Sequence, residues 1–529
     1  MAGKITKGTL TPMIETVEKP PDVIRYFKAL TKGKGNVILL ESKDIVPKYG
    51  EFSMGTHDPC LKIYGRGERF TIEALNDFGA AMLPEVRKLL GFCDEVNLAE
   101  KKRIEGRLCI RSKGGGGDEL SRLMERNHTD ILRALAFSYA PQDAPAMPYG
   151  GLFGVFAYDF VDQFEELPRN ERDVLDLPDY LFYYVDNLFV IDHKKNKMHI
   201  IANAVGIHED SEELHERCLS KIGEYKAALA GQAPEEPLAA GESGRVTIES
   251  DTTKEEYEAL VRKMKGHILL GDVFQIVPSR TITARGAFRP LAIYESLRSL
   301  NPSPYMFYLD FGDHQLAGSS PEMAVRVTGR GAKKVEIRPI AGTRPRGFLA
   351  SGALDADLDS RYETDLKTNE KEIAEHMMLV DLARNDIAKV AVAGTRIVDE
   401  PLIVEKYSHV QHLVSNVSGT LRPGLDALHV YLAAMNMGTV TGAPKIEAMK
   451  ILRRNEATKR GYYGGAVGYL APGGDFDSAL VIRSLIIKDG AAHIRVGAGV
   501  VHDSAPEREW EETEHKAQAC LKALEGEGQ

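Results

Sequence analysis

MFYLDFGDHQLAGSSPEMAVRVTGRGAKKVEIRPIAGTRPRG, residues 306–347, decides the fold class. Three β-rich runs, MFYLDF (306–311), AVRVTG (324–329) and KKVEIRPI (333–340), follow one another through Gly-, Ser- and Pro-bearing connections with no helical pattern between them. A second cluster follows helical segments: GAVGYL (465–470), SALVIRSLII (478–487) and HIRVGAG (493–499). Strands in clusters separated by helices, and not in strict strand–helix alternation, predict an α+β protein with antiparallel sheets. The first half adds NVILLES (36–42), GGLFGVFAYDF (150–160) and YLFYYVDNLFVID (180–192), the last read as a hairpin turning at Asp186-Asn187.

The chain has 529 residues, which predicts two domains. The boundary is expected near residues 228–247, an Ala-, Gly-, Pro- and Glu-rich stretch ahead of a helix capped within Asp-Thr-Thr-Lys-Glu-Glu. Domains are thus expected at 1–240 and 248–525, and Gly114–Gly117 reads as a loop. No apolar run reaches the ~18 residues of a membrane span, and no signal-like stretch follows the N-terminal lysines, so the cytoplasm is the expected location. A net charge of −10 argues against nucleic acid. Five cysteines with no C-x-x-C pair make a disulfide framework or zinc site a poor fit.

Two helices carry the candidate chemistry. TNEKEIAEHMMLVDLARND (368–386), capped by Thr368 or Asn369, places Glu372 and Glu375 on one face, with Ile373, Met377, Val380 and Ile387 as its apolar stripe. DSAPEREWEETEHKAQACLKAL (503–524), capped by Ser504, places Glu509, Glu512 and Lys516 on one face and Trp510, Ala517, Leu521 and Leu524 in the stripe. A lone Glu-x-x-Glu is usually solvated surface, and a Glu–Lys pair at i,i+4 contributes only ~0.3–0.5 kcal/mol. Four carboxylates from facing helices would suit Mg²⁺, which takes oxygen ligands. Glycine-bearing loops accompany them: a Gly342-Thr343 turn leading to Arg344 and Arg346, AGSSPEM (317–323), MNMGTVTGAPKIEAM (435–449), RGYYGG (460–465) and RVGAGVV (495–501). Such turns let backbone N–H groups approach an anion.

In order along the chain, PIAGTRPRG, KEIAEHMMLVDLARND, YSHVQHLVS, MNMGTVTGAPKIEAM, YYGGAVGY, VIRS, GAGVV and E-x-x-E-T-x-x-K resemble the chorismate-utilising enzymes, and among them the large-subunit branch of the anthranilate synthases. The resemblance implies antiparallel sheets packed as a sandwich with flanking helices. It also implies Mg²⁺ on Glu375 and Glu512 with Glu372 and Glu509 beside them, and His412 and Thr439 as catalytic residues. Gly342, Thr343, Tyr463, Arg483, Gly497, Ala498, Gly499 and Lys516 become substrate contacts.

Sister enzymes share these motifs, and two positions separate them. Where water-activating relatives carry a lysine base, this chain has Gln275; where aminodeoxychorismate synthases carry a nucleophilic lysine, it has Ala341. Neither side chain can do acid–base or nucleophilic work. The resemblance therefore implies ammonia attack at C2 of chorismate, loss of the C4 hydroxyl, and elimination of pyruvate to give anthranilate. No cysteine has the flanks of a glutaminase nucleophile, so a separate glutamine amidotransferase subunit, in a heterotetramer, is the implied ammonia source. Glu41 and Ser42 with Pro304, Tyr305 and Met306 resemble the family's L-tryptophan feedback site.

Overall fold

In a computed structural model, the described residues are 6–43, 51–110, 118–170, 172–207, 211–231, 246–349, 351–407 and 409–525. The Gly114–Gly117 loop and most of the 228–247 linker lie outside them. Two large sheets share one hydrophobic core, and helices pack around them. Every strand pair is antiparallel except Thr9–Val17 with Ala140–Pro141, as the clustered strands predict.

Both halves of the chain build both sheets. In one sheet the C-terminal strand Tyr305–Asp310 pairs with the N-terminal Val37–Glu41, joining Met306 to Glu41. In the other, Ala466–Leu470 pairs with Gly151–Phe156, joining Gly468 to Gly154. On its other side Gly154 faces the strand Tyr180–Val185, where a Cβ would stand 2.1 Å from the Leu181 carbonyl, so only glycine admits that approach.

Three strand readings change, all for one reason: the chain crosses from sheet to sheet. Tyr180–Val185 and Asn187–Asp192 do not form a hairpin, since the first pairs in one sheet and the second in the other. Asp186 marks that crossing, fully buried and ion-paired to Arg217; removing one partner of such a pair typically costs about 3–5 kcal/mol. AGSS belongs to the strand His314–Ser320, and Pro321-Glu322 carries the chain across to the strand Met323–Thr328. SALVIRSLII is two strands, Phe476–Leu480 and Ser484–Lys488, broken at a crossing where Arg483 adopts φ 52°. The last two crossings bond to each other, Leu480 N–H to Glu322 O (3.0 Å) and Ser319 N–H to Arg483 O (3.1 Å). Glu322 and Arg483 are thereby brought between the sheets.

Candidate active site

The helix Glu370–Val390 starts at Asn369, whose side chain accepts the Glu372 N–H at 3.2 Å. His376, Leu379, Val380, Ala383, Ile387 and Val390 form its buried stripe, and Glu372 and Glu375 stand one turn before His376 and Leu379 on that side. Met377, expected in the stripe, is 47% exposed. The helix Pro506–Glu525 buries Glu509, Thr513, Ala517, Cys520, Ala523 and Leu524. Trp510 and Leu521 are only half-buried; the Trp510 ring is covered by the Arg280 guanidinium at 3.9 Å and the edge of Tyr257. The Ser504 hydroxyl accepts the Val501 N–H (3.0 Å). Glu509 thus heads a stripe that pattern reading assigns to apolar residues.

The two helices face each other closely enough for their carboxylates to interact. Burial first, then the neighbouring Glu372, Glu512 and Glu509, push the Glu375 carboxyl up to about 7. Burial likewise raises Glu509, whose Oε2 has no hydrogen-bond partner. Burial would raise Glu512 too, but the Lys516 ammonium, 2.5 Å away, and the Arg483 guanidinium hold it below the usual carboxylate range. Glu372 pairs with Arg344 at 2.8 Å. Among the described residues no three His, Cys, Asp or Glu side chains converge as a ready-made metal site. The donor chemistry nevertheless suits a hard cation: four oxygen donors, mutual repulsion, and one orphaned buried oxygen.

The loops close around these helices. Gly342 lies in the strand Ile340–Pro345, at a register shift between Ala341 and Thr343, and not in a turn. Its φ is +58°, and a Cβ there would stand 2.9 Å from Glu372 Oε2. A Cβ on Gly499 would meet Gln275 Nε2 at 3.0 Å and Glu375 Oε1 at 3.8 Å, and one on Gly497 the Tyr463 hydroxyl at 3.1 Å. Lys516 Nζ donates to Gly497 O (3.0 Å), and the Ala498 N–H to Pro278 O (3.3 Å), which withdraws that N–H from a ligand. Arg344 and Arg346 are held by carboxylates, Asp365 and Glu372 for the first and Asp359 for the second.

His412 Nδ1 lies 3.0 Å from the Thr343 hydroxyl and 3.3 Å from Gly342 O. Burial, with Arg483 nearby, lowers its imidazole to about 4. The ring is therefore neutral at pH 7, and Nδ1–H donation to Gly342 O leaves Nε2 as the basic nitrogen. Burial pushes Glu322 the other way, up to about 8, against the opposing pull of Thr439, Lys516 and Arg483. The buried Thr439 hydroxyl faces Glu322, and Gln275 Oε1 is buried without a hydrogen-bond partner. Glu322 is absent from the motif-based site. Only its place in AGSSPEM, at a strand end, could have signalled it.

The residues read as a tryptophan site meet in a separate cavity of about 290 Å³ at the seam between the chain's halves. Leu40, Glu41, Ser42, Pro304, Tyr305 and Met306 line it, with Arg326, Tyr469 and Asp477 opposite. The Glu41 carboxylate is already bonded to Tyr294 (2.6 Å) and Arg298 (2.9 Å), whereas the buried Ser42 hydroxyl has no partner.

The family of chorismate binding enzymes matches residues 94–522. The chain is 42% identical over 507 residues to anthranilate synthase component 1 of Vibrio cholerae, covering 95% of this chain and 94% of that one. The crystal structure of anthranilate synthase component I from Streptococcus pneumoniae is 30% identical and superposes with a TM-score of 0.68, over 90% of this chain and 92% of that one. The menaquinone-specific isochorismate synthase of Escherichia coli, 17% identical, shares the fold with a TM-score of 0.60 over 99% and 96%. The chain belongs to the chorismate-binding enzyme family, with near relatives among the component 1 chains of anthranilate synthase.

Proposed function

We propose that this chain is the large subunit of a Mg²⁺-dependent, cytoplasmic anthranilate synthase. It would convert chorismate and ammonia to anthranilate and pyruvate, take its ammonia from a glutaminase partner, and be inhibited by L-tryptophan. The observation that carries the product assignment is the pair Gln275 and Ala341, which denies the pocket both the water-activating base and the ring nucleophile of the sister enzymes. The isochorismate synthase shares the fold, so the fold alone does not choose the product.

Mg²⁺, when bound, would supply an electrophilic clamp for a substrate carboxylate, held by Glu375 and Glu512 with Glu372 and Glu509 in support. Arg483, Tyr463, Lys516 and the backbone at Gly342, Thr343, Gly497 and Gly499 would orient the rest of the dicarboxylate. Departure of the C4 hydroxyl needs a proton, and Glu322, pushed up to about 8, holds one at neutral pH while His412, lowered to about 4, does not. Glu322 is thus the donor in this reading. His412 Nε2 is a base for the proton released as the ring aromatises.

Chorismate, Mg²⁺ and ammonium with the purified chain near pH 7.5 should yield fluorescent anthranilate and an equal amount of pyruvate. Isochorismate, salicylate or 4-amino-4-deoxychorismate in their place would defeat the assignment.

A further inference from the structure

Glu456, the residue after the helix Lys445–Asn455, is a carboxylate that the proposed chemistry leaves unused, and its side chain is 3% exposed. An ionised carboxyl in such a place is retained only where hydrogen bonds and opposite charge replace its water. Arg460 donates from Nη2 to Oε1 (2.6 Å) and from Nε to Oε2 (2.9 Å), and Arg495 from Nη2 to Oε2 (3.1 Å). Ser279 donates both its N–H (2.9 Å) and its hydroxyl (2.8 Å) to Oε1. Burial alone would raise this carboxyl, but Arg460 and Arg495 hold it below the usual carboxylate range.

A buried ion cluster is commonly a strut for the fold alone, and the destinations of the remaining bonds set this one apart. Arg460 also donates to Val440 O (2.6 Å) and Val277 O (2.7 Å). Val440 follows Thr439, and Val277 lies two residues past Gln275. Arg495 donates to the Ser279 hydroxyl (2.8 Å) and to Thr458 Oγ1 (3.0 Å). It stands two residues before Gly497, which is the strand partner of Ser279. Three residues after Arg460 comes Tyr463, whose ring the Arg460 guanidinium approaches at 5.8 Å and whose hydroxyl lies against Gly497. One carboxylate thus ties together segments far apart in the chain, and each bears a residue placed in the chorismate pocket. None of these bonds reaches a residue lining the seam cavity.

We infer that Glu456 is a positioning residue for chorismate: through Arg460 and Arg495 it fixes Gln275, Thr439, Tyr463 and Gly497 relative to one another, and it touches no substrate atom itself. This rests on the chorismate reading above. A misplacement of about 1 Å can lower turnover about 100-fold. Loss of folded protein, by contrast, lowers kcat in proportion and leaves KM alone, so KM separates positioning from a purely structural role.

The test measures chorismate kinetics of the full chain with Mg²⁺ and saturating ammonium. Glu456→Gln keeps the shape and removes the charge. Arg460→Lys keeps the charge but replaces a planar fork with a point donor that cannot serve both carbonyls and both carboxylate oxygens. Each should raise KM for chorismate at least about tenfold and lower kcat/KM at least about 30-fold. Hydrogen exchange across Lys197–Val205, seven places along the same sheet from Ala491–Gly497, should stay as in wild type. An unchanged KM in either folded variant, whatever happens to kcat, overturns the inference. So does faster exchange across Lys197–Val205, which would report general loosening. If Glu456→Gln does not fold, Arg460→Lys decides alone; failure of both to fold assigns the cluster to stability and overturns the inference. Wild type that makes another product from chorismate, or none, refutes the functional reading instead, and chorismate affinity by calorimetry then takes the place of KM.

Discussion

The cleft between the glutamate helices and the cavity at the seam differ in how far their charges are paired. In the cleft, carboxylates face one another, Glu375 and Glu509 are raised by burial and repulsion, and Glu509 Oε2 and Gln275 Oε1 lack partners. In the cavity, Glu41 is matched by Arg298 and Tyr294 and Arg326 by Glu336 at 2.9 Å; burial pushes Asp477 up to about 6, but it accepts the Tyr305 hydroxyl at 3.3 Å, and the Ser42 hydroxyl has no partner. A region with more unmet polar demand suits the proposed cation and anionic substrate; one whose charges are mostly paired suits a ligand held unchanged. The two are not isolated. The strand Phe476–Leu480 lines the cavity with Asp477 and Ala479 and leads directly to Arg483 in the cleft.

The contrast can be broken most sharply at the glutamates. Glu375→Gln and Glu512→Gln should each lower anthranilate formation by about 10³-fold or more, with an unchanged thermal transition; near-native turnover in either would remove the cation from the account. Glu322→Gln should cost about 100-fold and alter the pH profile. With the acid form active, wild-type kcat/KM should fall tenfold per unit above about pH 8, and the variant should lack that limb. An alkaline limb that survives the substitution would assign the proton donor elsewhere. A smaller effect concerns the metal. Glu375, pushed up to about 7, must lose its proton to bind Mg²⁺, so affinity should weaken about tenfold from pH 8 to pH 6. Trp510, the only tryptophan and set between Glu509 and Glu512, reports this by fluorescence. A pH-independent affinity would place Mg²⁺ away from Glu375.

Much of the cleft was legible because its residues sit in motifs local in sequence. Glu372 and Glu375 share a helix face by spacing alone, and Gly342 and Thr343 read as a special backbone position, although that position is a strand bulge. Glu322 was not legible. Its altered proton affinity comes from the crossing at Pro321-Glu322, which places it between two sheets, and no local pattern encodes a crossing. The same blindness produced the hairpin at Asp186 and the unbroken strand through Arg483: alternation shows that a run is extended, not which sheet it joins. Antiparallel pairing was readable because connections are short. The sharing of both sheets by the two halves was not, since those pairings join residues hundreds of positions apart.

The central claim is that one chain holds a catalytic cleft and a distinct cavity that controls it, and the rate of anthranilate formation against L-tryptophan concentration tests it most directly. With saturating chorismate, Mg²⁺ and ammonium, wild type should be inhibited, and Ser42→Phe, which fills the cavity beside Met306, should turn over at nearly the wild-type rate without inhibition. An unchanged tryptophan response in Ser42→Phe would contradict the account.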